Sequence, residues 1–479
     1  MKKNSFYITT TIPYVNSDPH IGFALEIVQS DALARYNRLI GRKVFFSTGT
    51  DEHGQKILEA AAKSGEDIHA YVDHYSAEFK KLKDALLISN DTFIRTTDEH
   101  HYKAAQEMWA RCDKSGDIYK KSYTGKYCVG CESFKTEKDL NENGQCFLHP
   151  NLKVADLREE NYFFRFSKYQ NKLLRYLARP EVILPEWRRE EAVNFVKNGL
   201  EDFSISREKE RLSWGVPVPG DETQVMYVWF DALTNYISTL GWPEDAQGNF
   251  KNFWENGETV QTAGKDQIRF QSLMWQAMLM SAGVKNTDKV VYHGFITSGD
   301  QKMSKSLGNV INPLDLVKEY GPEPVRYFLL RHVHPFEDSD VTEEKIKEAY
   351  NANLANGLGN LASRILTLAE KYLEKCPKIP EQTDFNEYFG FFEKFDVQAA
   401  ADRVWEKISE LDKFIQTTEP FKVIKISETE GKKLISDLVV RLYEIARMLN
   451  PLLPNTSETL KNLIKENKKP AAPLFLRRD

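Results

Sequence analysis

The sequence predicts an α/β fold: a split Rossmann-like domain with a parallel sheet and an insertion that carries a Cys/His group, followed by an α-helical bundle. Three observations lead to this fold class. Apolar strands alternate with amphipathic helices near the start of the chain, a segment of short strands with a Cys/His group interrupts them, and from Glu343 onward the pattern is almost wholly helical. Alternating strands and helices form a parallel sheet whose ligand site lies at the carboxyl ends of the strands.

The order of the elements gives the domain organisation. Residues 5–12 have the pattern of a strand, and HIGFALEIVQSDALARYNRLIG, with apolar residues at helical spacing, ends at Gly41. KVFFST is a second strand, and GTDEHG leads into a second helix. The alternation resumes with QVMYVWF, then with TVQTAGKD before the helix QIRFQSLMWQAMLMSAG, and then with KVVYHGF. The predicted segments are the two Rossmann halves 1–115 and 221–296, the insertion 116–220, a connector 297–350 and the helical domain 351–479.

Composition favours a globular chain of several compact units. The chain has 479 residues, of which 41% are hydrophobic and 28% are charged. No stretch approaches the roughly 20 apolar residues of a membrane span, and the polar start is unlike a signal peptide. We therefore expect a cytoplasmic protein with no membrane partner. The net charge of −5 gives no general attraction to nucleic acid, so RNA binding would require a local basic patch such as KENKKP.

Three cysteines and a histidine lie close together in the insertion. Their spacing is Cys-x2-Cys, fourteen residues, then Cys-x2-His, which gives the set Cys128, Cys131, Cys146 and His149. In a reducing compartment such clustering favours metal over disulfides, the alternative being unligated cysteines. Three thiolates and one imidazole match one closed, tetrahedral, structural Zn²⁺ site, with no open position for catalysis.

Two further motifs indicate nucleotide chemistry. His20 of PHIG stands where a strand gives way to a helix, a place suited to phosphates, and it could donate to an α-phosphate. The alternative is that His20 only caps the helix. Far downstream, the Gly-bounded loop SGDQKMSKSLGN carries Lys302 and Lys305, which either neutralise charge on departing pyrophosphate or are merely solvated. The occurrence of both motifs, each after a predicted strand, favours the functional interpretation.

PHIG and KMSKS together are the signature of class I aminoacyl-tRNA synthetases, and the chain resembles the methionyl enzymes of that family. Segments in the family's order span nearly the whole chain: TTTIPYVNSDPHIG, FFSTGTDEHG, KYCVGCESF, ENYFFRFS, WGVPVP, YVWFDAL, GKDQIRF, HGFITSGDQKMSKSLGN and NGLGNLASR. The resemblance implies an ATP-dependent ligase that converts L-methionine and ATP to methionyl-adenylate and pyrophosphate. It then transfers methionine to the 3′-terminal adenosine of tRNA(Met). Mg²⁺ is expected with ATP.

The resemblance also implies roles for residues at matching positions. The catalytic residues would be His20, Lys302 and Lys305. ATP would be bound by His20, Gly22, Gly264, Lys265, Asp266, Lys302, Ser304 and Lys305. Methionine would be bound by Ile12, Pro13, Tyr14, Asp51, Trp229, Ala232, Tyr236 and His293. Anticodon bases would be contacted by Asn360, Arg364 and Phe421, the last standing where the family commonly has a tryptophan.

Length adds two expectations. An insertion of about a hundred residues leaves little room for a separate hydrolytic editing domain, so discrimination should rest on the synthetic pocket. The end at PLFLRRD resembles the natural end of the family's helical bundle. We therefore expect no additional dimerising or tRNA-binding module, and a monomer.

Two positions depart from the family's pattern. Phe23 ends the PHIGF segment where the family normally has a second histidine, and Gln271 stands where a histidine is usual. A phenyl ring can neither donate a hydrogen bond nor carry charge. Two alternatives therefore stay open: a class I synthetase for another amino acid, such as cysteine or leucine, and a catalytically impaired, zinc-bearing tRNA-binding protein.

Replacing Phe23 by histidine tests whether the missing donor matters. A donor that acts on the transition state is worth on the order of 3 kcal/mol, or about a hundredfold in rate. We predict that a neighbouring group or water supplies it, so Phe23→His should change the rate of ATP–pyrophosphate exchange by less than about tenfold. A larger gain would show that nothing replaces the missing histidine.

Overall fold

The computed structural model describes residues 3–130, 133–135, 137–152, 154–299, 301–302, 310–380 and 385–478. The chain divides into two compact units, each assembled from several segments. The first unit comprises Met1–Pro19, Lys43–Lys81 and Asn90–Tyr292, and the second comprises His20–Arg42, Leu82–Ser89 and His293–Asp479. In the ranges given above, no helix is both long enough and apolar enough to cross a membrane.

Strands and helices alternate in the first half of the chain, and helices dominate the last third. The strands described are β1 (Ser5–Thr9), β2 (Lys43–Thr50), β3 (Thr92–Arg95), β4 (Ile118–Cys128), β5 (Ser133–Lys135), β6 (Val154–Phe164), β7 (Ile183–Leu184), β8 (Phe203–Ser204), β9 (Ser206–Glu208), β10 (Pro217–Val218), β11 (Asp221–Met226), β12 (Glu258–Gly264), β13 (Lys289–His293), β14 (Ile296–Ser298), β15 (Gln301–Lys302) and β16 (Ser339–Asp340). The α-helices are α1 (Ile21–Leu39), α2 (Gln55–Ser64), α3 (Ile68–Ala85), α4 (Glu99–Lys114), α5 (Gln170–Leu177), α6 (Glu186–Lys197), α7 (Val228–Ala232), α8 (Asn235–Ser238), α9 (Trp275–Ala282), α10 (Pro313–Tyr320), α11 (Pro322–Arg331), α12 (Glu343–Ala349), α13 (Asn360–Tyr372), α14 (Asn386–Glu393), α15 (Val397–Thr418), α16 (Pro420–Ile426), α17 (Glu428–Met448) and α18 (Pro454–Glu466). π-helical segments span Phe250–Glu255, Ile268–Met274 and Tyr350–Gly359.

The main sheet of the first unit has the strand order β3-β2-β1-β12-β13-β7. β1 pairs in parallel with both β2 and β12, β2 with β3, and β13 with β7. The predicted parallel sheet is therefore confirmed. The chain runs outward from β1 through β2 to β3 and later returns on the other side of β1 at β12. This reversal of strand order leaves a crevice at the carboxyl ends of β1 and β12, where such sheets bind ligands.

Aromatic side chains fill the core beneath this sheet. The Tyr7 ring lies edge-on to Trp254, with ring centroids 6.0 Å apart, and Trp254 in turn contacts Trp275 at 6.2 Å. All three side chains are buried. The Tyr7 hydroxyl donates to the carbonyl of Tyr236 at 2.9 Å, so the buried phenol keeps a polar partner. This core fixes α8 against β1.

Two antiparallel sheets complete the first unit. One has the order β5-β4-β6-β8, in which β4 and β6 pair along their whole length. The other has the order β10-β11-β9. The predicted strand QVMYVWF does not join the parallel sheet: β11 ends at Met226, and Val228 begins α7. A β-prone run does not specify its pairing partner, so local sequence could not separate these two outcomes.

The predicted first strand, residues 5–12, ends earlier, at Thr9. Beyond Pro13 the chain pairs again with the end of the neighbouring strand, through an isolated parallel bridge between Tyr14 and Asp51. The predicted helix over QIRFQSLMWQAMLMSAG is present, but its first turns are π-helical and α-helix begins only at Trp275.

The second unit is mainly helical, with a small sheet of order β15-β14-β16. The helical pattern predicted from Glu343 onward is confirmed. Its helices carry side-chain N-caps at Asn312, Thr342, Asp396 and Ser427, each accepting from a backbone N–H of the first turn. The Tyr36 ring of α1 stacks on Phe392 of α14 with centroids 4.7 Å apart. Buried aliphatic side chains of α15 and α17 supply much of the remaining core.

A buried ion pair lies inside the second unit. The Arg326 guanidinium, fully shielded from solvent, lies 2.7 Å from Asp31 and donates to the carbonyls of Leu86, Pro451 and Leu452. Burial alone would raise the pKa of Asp31, but Arg326, Arg35 and Ser89 outweigh it and hold the pKa below its ordinary value of 3.8. The stabilisation is therefore present above that value and is lost only as pH falls through the lower folded pKa.

Replacing Arg326 by methionine should destabilise the second unit strongly. The substitution leaves Asp31 buried without its main counter-charge, which typically costs about 3–5 kcal/mol. Urea unfolding, with hydrogen exchange of the α11 amides, would measure the loss. Lys318→Met is the control, because its pair with Asp315 is exposed and should contribute less than about 1 kcal/mol. Similar effects of the two substitutions would contradict this account.

Candidate active site

The ends of two parallel strands bring predicted methionine-site residues together in the first unit. β1 leads into Ile12, Pro13 and Tyr14, and β2 leads into Asp51. Tyr14 and Asp51 form an isolated parallel bridge. The Asp51 N–H donates to the Pro13 carbonyl at 2.9 Å, and the Val15 N–H donates to the Asp51 carbonyl at 3.2 Å. Backbone pairing thus fixes this part of the predicted site.

The Asp51 carboxylate is buried, with 3% of the residue's surface exposed. Its Oδ1 accepts from the His53 backbone N–H at 3.3 Å and lies 3.5 Å from the Thr96 hydroxyl. A carboxylate held in this way is suited to an ammonium group, because a charge-assisted hydrogen bond is stronger where water is excluded.

Aromatic rings line the neighbouring part of the first unit. The Trp229 indole stacks on Phe270 with centroids 3.8 Å apart and planes 12° from parallel. Tyr14 meets Trp229 edge-on at 6.4 Å. Ala232 is buried one turn further along α7. Such rings form a polarizable wall that suits a thioether. Phe270 was not among the predicted residues, although it lies within GKDQIRF.

Tyr236 lies on α8 and is buried. Its hydroxyl accepts a hydrogen bond from the Gln271 side-chain amide, which is itself buried. Gln271 is one of the two departures from the family's pattern. The amide donates a hydrogen bond to Tyr236, as an imidazole could. Glutamine in place of the usual histidine therefore keeps a hydrogen-bond donor at this position.

A buried carboxylate joins the segments that carry Asp51 and Trp229. Asp231 Oδ2 lies 2.7 Å from His53 Nδ1, and Asp231 Oδ1 lies 2.8 Å from His101 Nε2. The far nitrogens of the two rings contact the Tyr102 hydroxyl and the Ser238 hydroxyl, both at 2.9 Å. Sequence reasoning missed this set. His53 and Asp231 lie inside quoted motifs, but His101 carries no local signal.

The predicted ribose-contacting turn follows β12. Gly264 ends the strand, and Lys265 and Asp266 lie in a short 3₁₀ turn. The Asp266 side chain is exposed, and its Oδ2 accepts from Gln267 Nε2 at 2.9 Å. The turn therefore presents a carboxylate at the carboxyl end of a central strand, beside the reversal of strand order.

In the second unit, His20 is the N-cap of α1. Its Nδ1 accepts from the Gly22 N–H at 3.1 Å. A Cβ on Gly22 would lie 2.9 Å from the imidazole Cε1, so only glycine lets the ring fold back in this way. Because Nδ1 accepts, the neutral ring carries its proton on Nε2, which can donate to a ligand. Capping and phosphate binding are therefore compatible roles.

His20 is exposed as a residue, while desolvation by the surrounding protein lowers the pKa of its imidazole below the ordinary value of 6.5. Phe23, one turn later, is buried with 7% of its surface exposed. A histidine at that position would therefore need a polar partner within the protein.

His293 ends β13 and is also buried in the second unit. Its Nε2 lies 2.9 Å from Glu26 Oε2, and its Nδ1 donates to the Gly294 carbonyl at 2.7 Å. Glu26 was not predicted. Lys302 lies in β15, where its backbone pairs with Thr297 of β14. The predicted residues Ser304 and Lys305 lie outside the described residues.

Three of the four predicted zinc ligands lie together. The ligand atoms of Cys128, Cys146 and His149 are all within 4.8 Å of one another, and Cys128 Sγ is 3.9 Å from His149 Nδ1. Tetrahedral zinc with its usual bond lengths separates such atoms by roughly 3.6–3.8 Å, so the donors fit the ion. A Cβ at Gly130 would lie 2.4 Å from the His149 ring, so glycine permits this packing. Cys131 lies outside the described residues.

The predicted anticodon residues lie on two helices of the second unit. Asn360 and Arg364 are one turn apart on α13, where Asn360 is exposed and Arg364 Nη1 lies 2.8 Å from Asp412 Oδ1. Phe421, on α16, has 40% of its surface exposed. An exposed phenyl ring can stack on a base, whereas Arg364 would first have to leave its carboxylate partner.

Comparison with known sequences gives consistent matches. The profile of the family described as "tRNA synthetases class I (M)" matches residues 6–156 and 142–366. A methionine–tRNA ligase of Fusobacterium nucleatum is 41% identical over 96% of this chain and 74% of its own length. One from Thermotoga maritima is also 41% identical, covering 97% and 76% of the two chains. One from Rhizobium meliloti is 39% identical, covering 96% and 91%.

Solved structures agree with these matches. Mycobacterium tuberculosis methionyl-tRNA synthetase in complex with methionyl-adenylate is 36% identical and covers 100% of both chains with a TM-score of 0.91. The apo form of the same enzyme is 32% identical and covers 100% of this chain and 99% of that one, with a TM-score of 0.84.

Proposed function

The chain belongs to the class I tRNA synthetases of the methionyl type, and from this premise we propose that it catalyses ATP-dependent ligation of methionine to tRNA. In the first step, a carboxylate oxygen of L-methionine attacks the α-phosphorus of ATP, giving methionyl-adenylate and pyrophosphate. In the second step, a ribose hydroxyl of the 3′-terminal adenosine of tRNA(Met) takes the methionyl group and AMP leaves.

The observation that carries the proposal is the grouping of Asp51, Tyr14 and Trp229 within the first unit. It combines a buried carboxylate for the amino group with aromatic faces for the side chain. An amino acid needs both features, and the aromatic lining favours the polarizable sulfur of methionine over a branched aliphatic chain.

The methionine roles follow from these contacts. We assign the substrate ammonium to Asp51 and the strand end Ile12–Pro13–Tyr14, and the thioether to Trp229, Ala232 and Tyr236. The Tyr236 hydroxyl, which accepts from Gln271, keeps its own hydrogen for donation. His293 is assigned to the same substrate on the basis of the sequence motif.

The ATP roles rest on the two signature motifs. His20 Nε2 is assigned to the α-phosphate, beside the N–H groups of the first turn of α1 and its Gly22. Lys302, Ser304 and Lys305 are assigned to the β- and γ-phosphates, and Gly264, Lys265 and Asp266 to the ribose. Catalysis is then positioning plus charge stabilisation. Mg²⁺ would enter with ATP as its complex.

The remaining assignments concern metal and tRNA. Cys128, Cys131, Cys146 and His149 would hold one structural Zn²⁺, which would order the insertion without taking part in the reaction. Asn360, Arg364 and Phe421 would contact the anticodon. The five-segment division of the chain, the monomeric state and the cytoplasmic location stay predictions.

ATP–pyrophosphate exchange tests the function directly. Exchange should depend on methionine and should be at least tenfold weaker with leucine, isoleucine or cysteine, because these do not match the aromatic pocket. His20→Asn, which can retain the helix cap, should lower the rate by about a hundredfold, since it removes the Nε2–H donor. Best exchange with another amino acid would overturn the substrate assignment. Binding of tRNA(Met) without any exchange would indicate a protein that has lost catalysis.

Metal analysis tests the zinc site. The purified chain should contain about one zinc per molecule, and Cys146→Ser should lower this content severalfold, because one thiolate of a four-ligand site is lost. Cys376→Ser is the matched control, since Cys376 lies outside the cluster. An unchanged zinc content in Cys146→Ser would contradict the assignment.

A further inference from the structure

The hydrogen bonds around Asp231 form a complete network in the first unit. We call His53, Asp231, His101, Tyr102 and Ser238 the Asp231 network. The Asp231 carboxylate lies between two imidazole rings, and each ring has a hydroxyl on its far side. Asp231, His53, His101 and Ser238 are buried, with at most 1% of each residue exposed.

When both rings are neutral, their hydrogen-bond partners determine which ring nitrogen carries the proton. His53 Nδ1 faces a carboxylate and therefore donates, which leaves Nε2 to accept from the Tyr102 hydroxyl. His101 uses the opposite tautomer: Nε2 donates to Asp231, and Nδ1 accepts from the Ser238 hydroxyl. Two neutral rings and one ionised carboxylate satisfy every one of these contacts. Burial alone would raise the pKa of Asp231, but His53 and His101 outweigh it and the pKa lies below its ordinary value.

The network joins two segments that are distant in sequence. Asp231 and Trp229 share the single turn of α7, and Trp229 carries the stack with Phe270. His53 lies two residues after Asp51, and its backbone N–H donates to the Asp51 carboxylate. The one carboxylate at position 231 therefore ties the proposed ammonium-binding segment to the proposed thioether-binding helix.

We propose that His53, Asp231 and His101 are positioning residues that set the spacing between the two ends of the methionine site. This role rests on the proposed function, and none of the three side chains is assigned a contact with substrate. Small displacements of substrate-positioning groups lower catalytic efficiency strongly, because binding depends on simultaneous contacts at both ends. Loss of the network should therefore weaken methionine binding while leaving ATP binding nearly unchanged.

Asp231→Asn is the first test, with the Michaelis constants for methionine and ATP measured separately in ATP–pyrophosphate exchange. An asparagine amide cannot accept from both imidazoles. We expect the KM for methionine to rise at least tenfold and the KM for ATP to change less than threefold. Quenching of tryptophan fluorescence by methionine alone should show the same loss of affinity at equilibrium.

Asp117→Asn is the matched control. Asp117 is another fully buried carboxylate of the first unit, and it accepts from Lys168, Tyr169 and Ser281, none of which is assigned to a substrate. It therefore reproduces the structural cost of losing a buried carboxylate. Both KM values should stay within threefold of the unmodified chain in this variant, even if its thermal stability falls.

A pair of substitutions at His53 keeps the test decisive if Asp231→Asn does not fold. The side-chain amide of asparagine can place a donor near the position of Nδ1, whereas alanine cannot. Both variants retain the backbone hydrogen bond from residue 53 to Asp51. His53→Ala should raise the methionine KM at least tenfold, and His53→Asn should recover most of that loss. For His101, which donates through Nε2, glutamine and leucine form the equivalent pair.

The outcomes separate this inference from the proposed function. Absence of methionine-dependent exchange in the unmodified chain would reject the function itself. If that exchange is normal, equal rises in both KM values, a fall in kcat alone, or no difference between the Asp231 and Asp117 variants would reject the positioning role. A methionine-specific rise that asparagine at position 53 rescues would establish it.

Discussion

The reversal of strand order between β1 and β12 is the constraint on which the first unit's site depends. Parallel strands place their carboxyl ends at one edge of the sheet, and the reversal separates the segments that follow β1 and β12. Tyr14, Asp51 and Asp266 come to this edge because each follows a different strand. None of these three residues needs an unusual backbone conformation to reach this edge, because the strand order already places them near one another. Side-chain chemistry then decides which ligand the edge can bind.

Much of the fold could be predicted because its strands and helices are locally consistent. β1 and β2 each contain a short apolar run, and α1 has both a helical stripe and a cap at His20. The segment QVMYVWF was misassigned for a physical reason: pairing partner and sheet direction depend on remote strands, which a local alternation of side chains does not encode. The π-helical segment Ile268–Met274 likewise has no side-chain periodicity in its sequence that distinguishes it from an α-helix.

The site was predictable only where chemistry is concentrated in short segments. PHIG, GTDEHG and the cysteine spacing could be recognised because several functional groups lie within a few residues. His101, by contrast, reaches Asp231 across 130 positions, and Glu26 reaches His293 across 267. Such contacts leave no spacing rule, because the intervening chain can have any length that the fold tolerates. Buried charged groups nevertheless require hydrogen-bonding or ionic partners, so these long-range contacts are evident once the structure is known.

The two departures from the family's pattern, Gln271 and Phe23, have different consequences for hydrogen bonding. Gln271 donates to the Tyr236 hydroxyl, so this position keeps a hydrogen-bond donor. Phe23 is buried and offers no donor at all, so any compensation must come from outside its own position. His20 cannot supply it through Nδ1, because that nitrogen already accepts from Gly22. Within the His20 ring, Nε2 alone can therefore donate a hydrogen bond to a ligand. Removing this donor should lower the reaction rate more in this chain than in a synthetase with two motif histidines.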